Sequence, residues 1–230
     1  MEVKSIFNSS FEKIDSVSIG ICRPKKRLNQ QHIGLLYRDA NNDLCLLHLA
    51  WHLDLRKNNP DIRYLWLDIH LDPINKIHLA TICEMIYESN QEGIPYGICI
   101  DGTGLSKDGV FSSDENYAGL TCATFVIQVL HSQGIYIIDL EKWKHKKADK
   151  CWQLQILQNL QNIASKEHIQ YQRKKIQEGA ARFKPEEVAV AASLPNRPHG
   201  PDALKKPANK LLNLIIEHTE KIANLKNNIK

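Results

Sequence analysis

One cysteine and two histidines stand in surroundings that suit nucleophilic chemistry. Cys122 follows a polar loop, and the residues after it have helical spacing, so the thiol is expected in the first turn of a helix. Unpaired backbone N–H groups and the helix dipole stabilise a thiolate there and lower its pKa. His32 begins one apolar run and His48 lies inside the next. A thiolate needs a neighbouring base, and that base needs an orienting partner, so one histidine from each arm of a hairpin would supply both roles.

Each of these residues also has a purely structural explanation. A cysteine at the start of a helix is often a small core residue. A histidine flanked by leucines, as His48 is, is often a hydrogen-bonded core residue. His52, with Asp54 beside it, lies on the same strand face as His48 and is an alternative third member of the site. No metal site and no cofactor are predicted, because the paired ligands of a zinc cage are absent.

Short apolar runs in the first part of the chain must position these side chains. They predict strands over 16–22, 32–38, 44–53, 63–70 and 96–101. Asn41-Asn42-Asp43 predicts a turn, so the second and third strands should form a hairpin. Helical spacing predicts one helix from Pro73 to about residue 90 and another over about 120–132. The four glycines of 101–119 indicate a long loop.

The composition changes near residue 140. Residues 1–140 contain 12 Lys and Arg against 17 Asp and Glu, whereas residues 141–230 contain 18 against nine. Helical spacing continues over 152–177 and again after a Pro-rich linker near 194–201. We therefore expect a catalytic domain over 1–140 and a basic helical extension over 141–230. The extension suits an anionic partner, or the acidic first domain itself.

Composition excludes several classes of protein. With 43% apolar and 24% charged residues, the 230-residue chain is ordinary for a globular protein. No apolar run approaches the ~20 residues of a membrane span, and no apolar signal segment is visible near residue 1. The six cysteines form no CxxC pair and are expected to be reduced thiols. We expect a cytoplasmic protein, or one delivered by a specialised secretion system without a cleaved leader, such as a bacterial effector.

Three short segments occur in a suggestive order: HIGLLY at 32–37, LLHL at 46–49 and TCATFV at 121–126. Together they resemble the circularly permuted NlpC-type papain-like cysteine hydrolases, whose lecithin:retinol acyltransferase branch has HxGIYxG, a histidine on the next strand and NCEHFV. The chain departs from that branch at Thr121 and at Ala123-Thr124, and Arg38-Asp39 follows the first motif where a small residue is preferred. These differences argue against the lipid acyltransferases in particular.

The resemblance implies both a fold and a reaction. The fold would be α+β, with a small antiparallel sheet packed on the nucleophile helix and a helical C-terminal region. Cys122 would be the nucleophile, His32 the general base and acid, and His48 the residue that orients His32. The reaction would be cleavage of an amide or ester in a peptide, isopeptide or lipid through a thioester at cysteine, ending in hydrolysis or in acyl transfer.

The oxyanion of such a reaction needs hydrogen-bond donors. Backbone N–H groups at the start of the Cys122 helix would supply some of them. Thr121, Asn116 and Tyr117 are the candidate side chains for the remainder. The alternative interpretation is a catalytically inactive papain-like scaffold that serves as a binding module and holds its partner through the basic extension.

Overall fold

A computed structural model of the chain describes residues 1–24 and 30–228. Its main sheet is antiparallel and has the strand order β4-β3-β2-β1-β5. The strands are β1 Val17–Cys22, β2 His32–Arg38, β3 Leu44–Trp51, β4 Asp54–Asn58 and β5 Leu65–Asp68. A separate small hairpin contains β6 Thr103–Leu105 and β7 Phe111–Ser113.

Six helices lie in the described part of the chain. They are α1 Pro73–Ser89, α2 Cys122–Ser132, α3 Asp149–Leu160, α4 Lys166–Glu178, α5 Pro185–Ser193 and α6 Pro201–Asn228. This confirms the α+β class. None of these helices is both long enough and apolar enough to span a bilayer.

The β2–β3 hairpin forms where the sequence predicts it. One carboxylate oxygen of Asp39 accepts hydrogen bonds from the backbone N–H groups of Asn41 and Asp43, and Asn42 takes a positive φ of 64°. Asx turns of this kind reverse the chain tightly. The hairpin register pairs Leu35 with Leu47, which sets the position of His48 relative to His32.

The two faces of the sheet are buried against different parts of the chain. Ile33, Leu35 and Leu47 belong to the large core that also contains α1 and α2 residues. Leu36 and Trp66 belong to a smaller cluster on the other face, where the Phe11 ring packs at a tilt against Trp66, with 4.6 Å between ring centroids. Because successive residues of a strand alternate between faces, His32 shares the face of Leu36.

The segment 96–101 was expected to be a strand, but the structure contains no strand there. Tyr96 makes only an isolated bridge to Leu120. Side chains satisfy its backbone instead: His52 Nδ1 accepts from its N–H at 3.2 Å, and His168 Nε2 donates to its carbonyl at 2.9 Å. Polar side chains from distant elements have therefore replaced a neighbouring strand as hydrogen-bond partners.

The C-terminal helices share the large core with the sheet. Residues 188–192 of α5 are completely buried, and the Ala192 carbonyl accepts a hydrogen bond from the N–H of His70 at 2.9 Å. The helical pattern over 152–177 is divided between α3 and α4. The Pro-rich segment between α5 and α6 is held at His199, whose N–H donates to Ile137 and whose carbonyl accepts from Asp139, both at 3.0 Å.

Candidate active site

The start of α2 is fixed by a reciprocal cap. The Thr121 hydroxyl oxygen accepts from the N–H of Thr124 at 3.1 Å, and the Thr124 hydroxyl oxygen accepts from the N–H of Thr121 at 2.7 Å. This capping box places Cys122 at the first helical position. Thr121 lines the site, but its hydroxyl and its N–H are both engaged in this cap, so they hold the helix start and do not face a substrate.

His32 and His48 are in direct contact. His32 Nε2 lies 2.7 Å from His48 Nδ1, with the rings at 77° to each other. Gly34 makes this approach possible, since a Cβ there would lie 2.8 Å from the Cβ of His48 and 2.7 Å from the carbonyl oxygen of Leu47. The glycine of the first motif is therefore required by the packing of the second histidine.

The Cys122 thiol meets β2 one residue beyond His32. The backbone N–H of Ile33 is near enough to the thiol to act on its pKa, in the lowering direction. Pairing between β2 and β3 begins only at Leu35 and Leu47, so a side chain can approach β2 at Ile33. The body of α2 packs against the face of Ile33, whereas the His32 ring belongs to the opposite face, and the thiol reaches the backbone between them.

Burial keeps the reacting groups neutral. It raises the pKa of Cys122 to about 11, although the N–H groups of Ile33, Ala123 and Cys122 itself act in the other direction. Burial also lowers the pKa of His32 to about 3 and that of His48 to about 4. The low thiol pKa expected at a helix start is therefore absent, because desolvation outweighs the effect of the N-terminal N–H groups.

A small closed chamber lies over the thiol. Its volume is about 10 Å³, and Cys122 is only 5% exposed. Space of that size holds roughly one water molecule. Trp152, Arg182, Phe183 and Pro185 of the C-terminal extension line it. We call these four residues the cover.

Tyr96 is a site residue that the sequence analysis did not identify. It lines the chamber, is 2% exposed and interacts with both the thiol and the backbone N–H of Cys122. Burial and the neighbouring thiol hold its pKa well above the ordinary value, so its hydroxyl keeps its proton. A phenol beside a nucleophile is a suitable oxyanion donor. The available signal was the phenol hydroxyl of Tyr96 at the start of the predicted strand 96–101.

Two predicted oxyanion residues lie away from the chamber. Asn116 and Tyr117 are exposed and do not line it. Tyr117 has a positive φ of 68°, and its carbonyl oxygen accepts from Gln172 Nε2 at 2.8 Å. The prediction from loop position therefore failed for these two side chains, because the loop folds outward and its backbone is tied to α4.

His52 takes a different part from His48. Its ring contacts His168, with 4.8 Å between centroids, and its Nδ1 supports the backbone of Tyr96. Asp54, its expected companion, accepts from Arg56 Nε at 2.7 Å. Of the two candidates for the third position, His48 is the one that contacts His32.

The site therefore contains a buried thiol at the start of a helix and a protonated phenol next to that thiol. It also contains two hydrogen-bonded imidazoles, one of them from His32, which precedes Ile33 on β2. These groups are those of acyl transfer through cysteine. Comparison of the chain with protein-family models, with curated proteins and with solved structures finds no match in any of the three.

Proposed function

We propose that the protein is a thiol hydrolase that cleaves an amide or ester through a thioester at Cys122, on a permuted papain-like scaffold. One observation carries the proposal: the His32–His48 hydrogen bond lies beside Ile33, whose N–H contacts the Cys122 thiol. Since Nε2 of His32 is engaged by His48, Nδ1 is the ring nitrogen left to serve the thiol. This is the nucleophile, base and orienting group of a catalytic triad.

The reaction begins when His32 takes the proton of Cys122. The sulfur attacks the carbonyl carbon, a C–S bond forms, and the carbonyl oxygen becomes an oxyanion that the Cys122 N–H and the Tyr96 hydroxyl stabilise. His32 returns the proton to the leaving amine or alcohol as that bond breaks. It then takes a proton from water, which attacks the thioester, and the thiol leaves with its proton restored. His48 keeps the His32 ring in position throughout.

The closed chamber represents a resting state in this scheme. A thiolate–imidazolium pair is disfavoured there because burial opposes both charged forms. Substrate binding has to displace part of the cover, and the donors that then face the sulfur stabilise its charge. Movement of Phe183 is therefore part of the proposed cycle.

Alkylation of each cysteine by iodoacetamide, followed by mass spectrometry from about pH 4 to about pH 9, tests the proposal. We expect slow alkylation of Cys122 below pH 7, through the minor fraction of molecules in which the cover has moved aside and His32 can take the thiol proton. His32→Ala should slow this at least about a hundredfold by removing the base. Exposed Cys151 is the internal control, because it does not line the chamber and its rate should be the same in every variant. His70→Ala, at an exposed histidine, is the matched variant.

Hydrolysis of thioester and amide libraries by the wild type, lost in Cys122→Ala, then completes the assignment. If Cys122 is inert at every pH while Cys151 reacts, the hydrolase proposal is wrong.

Two observations favour a second function, that of an inactive binding module: the covered thiol has a raised pKa, and the extension exposes a basic segment. That segment contains the exposed lysines Lys144, Lys146, Lys147 and Lys150. Such a module would hold an anionic partner electrostatically. Its binding would weaken strongly at ~0.5 M salt, where the Debye length is only a few ångströms.

A further inference from the structure

Two buried hydrogen-bond donors at the chamber lack acceptors. Gln31 is 5% exposed and lines the chamber, and its Nε2 has no partner among the described residues. Trp152 Nε1, from the cover, is also buried and has no hydrogen-bond partner among the described residues. An unpaired buried donor costs about 1–3 kcal/mol, so such groups are rare unless something else binds them. Their occurrence on both sides of one chamber indicates a ligand that accepts hydrogen bonds.

Arg182 supplies a charge of the matching sign. Its guanidinium lies over the Trp152 ring at 4.1 Å, and its side chain is 16% exposed. Its contact with Asp149 Oδ1 is 3.9 Å long, beyond hydrogen-bond distance. Arg182 is the one charged side chain among the described residues that line the chamber. Asp149, Glu186 and Glu187 act on it electrostatically but do not line the space.

We propose that Arg182, Gln31 and Trp152 form a carboxylate subsite, so that the substrate carries a free carboxylate next to the scissile amide or ester. The inference rests on the hydrolase function proposed above. A guanidinium fork binds a carboxylate with two parallel hydrogen bonds, and the two unpaired N–H donors suit the remaining lone pairs. Gln31 precedes β2 and the other two residues belong to the extension, so a bound carboxylate would join the two parts over Cys122.

Two alkylating reagents of nearly equal size test this directly. Iodoacetate carries a carboxylate where iodoacetamide carries a neutral amide, so the ratio of their rates at Cys122 reports the subsite and cancels differences in access. Ordinary thiolates react more slowly with the anion because like charges repel. We expect a ratio above one at Cys122, and a lower ratio at exposed Cys151 in the same sample.

Variants assign the effect to residues. Arg182→Gln should lower the ratio at Cys122 about tenfold, the equivalent of one charge-assisted hydrogen bond, while exposed Arg173→Gln removes the same charge from the extension and should leave it unchanged. Gln31→Met should lower it about threefold, and it is the variant to use if Arg182→Gln unfolds. If neither substitution changes the ratio, the carboxylate subsite is wrong but the hydrolase proposal is unaffected. If Cys122 reacts with neither iodoacetate nor iodoacetamide, both proposals are wrong.

Two neutral-capped amino acids then identify where the carboxylate comes from. N-acetylalanine presents a C-terminal carboxylate, and N-acetylglutamic acid α-amide presents a side-chain carboxylate. The compound that slows iodoacetamide alkylation of wild-type Cys122 more strongly names the source, and that protection should disappear in Arg182→Gln. Absence of protection by either compound counts against the proposal.

Discussion

The strand region up to residue 140 and the helical extension after it meet at Cys122 from opposite sides, and they contribute different things. The first region contains the thiol, the imidazole pair and the Tyr96 phenol, which are the groups that a reaction requires. The extension contains the cover, whose burial of the thiol opposes ionisation. The groups of the proposed reaction and the residues that cover the thiol therefore come from separate stretches of chain.

The first region should be the more sensitive to a single added methyl group. Gly34→Ala places a Cβ within 2.8 Å of the His48 Cβ and against the Leu47 carbonyl oxygen. We expect a loss of about 2 kcal/mol in the free energy of unfolding, measured by urea titration, because a strand and its neighbour must separate. The low-pH alkylation of Cys122 should fall with it, since His48 is pushed from His32.

Gly104→Ala is the matched control. Its new Cβ would meet only Gln128 Oε1 at 3.7 Å, an ordinary contact. It should cost no more than about 0.5 kcal/mol. Equal losses in the two variants would show that the close packing around His48 is unimportant.

A substitution in the extension should have the opposite effect and increase the alkylation rate of Cys122. Trp152→Ala opens the chamber, admits water and lets the pKa of Cys122 fall from about 11 toward its ordinary value. Each unit of that fall raises the thiolate fraction at pH 7 tenfold, so we expect iodoacetamide alkylation to accelerate by about tenfold or more. Leu154→Ala, at an exposed residue on the same helix, is the control. An unchanged Cys122 rate would mean that the cover does not restrain the thiol.

A further expected effect concerns acid stability. Burial lowers the pKa of His32 to about 3 and of His48 to about 4, whereas unfolded histidines titrate near 6.5. The unfolded chain therefore binds more protons below about pH 6.5, and the free energy of unfolding should decline as the pH falls from there toward 4. His32→Gln should flatten part of this decline in urea titrations, while His70→Gln should not. Parallel curves for all three proteins would contradict the assignment of the acid effect to His32.

What could be predicted from sequence depended on how local the signal was. The bounds of β2 were predicted correctly because the alternation and the flanking turn lie within that segment. The segment 96–101 was wrongly expected to be a strand because its partners, His52 and His168, lie 44 and 72 residues away from Tyr96. The same distinction between local and long-range signals applies to the residues of the candidate site.

Local motifs predicted Cys122, His32 and His48 as site residues, and the structure brings the two histidines into contact. The members that tertiary packing alone brings together could not be found by spacing. Tyr96, Gln31 and Arg182 come from three separate segments, and no periodicity links them. The sign of the Cys122 pKa shift was missed for the same reason, because burial by the extension outweighs the local helix start.

Hydrogen bonds from α4 hold the backbone of 96–98, and this affects the order in which the site can form during translation. The Tyr96 carbonyl is bonded by His168, and the Ile98 N–H by Gln172 Oε1 at 2.8 Å. At about 5–20 residues per second, translation delivers these partners several seconds after Tyr96 itself. Cys122 is thus made before the phenol beside it can be fixed in place, and the segment after α4 adds Arg182, Phe183 and Pro185 of the cover. In a nascent chain, the Tyr96 hydroxyl is therefore fixed in place at about the time that these residues cover the thiol.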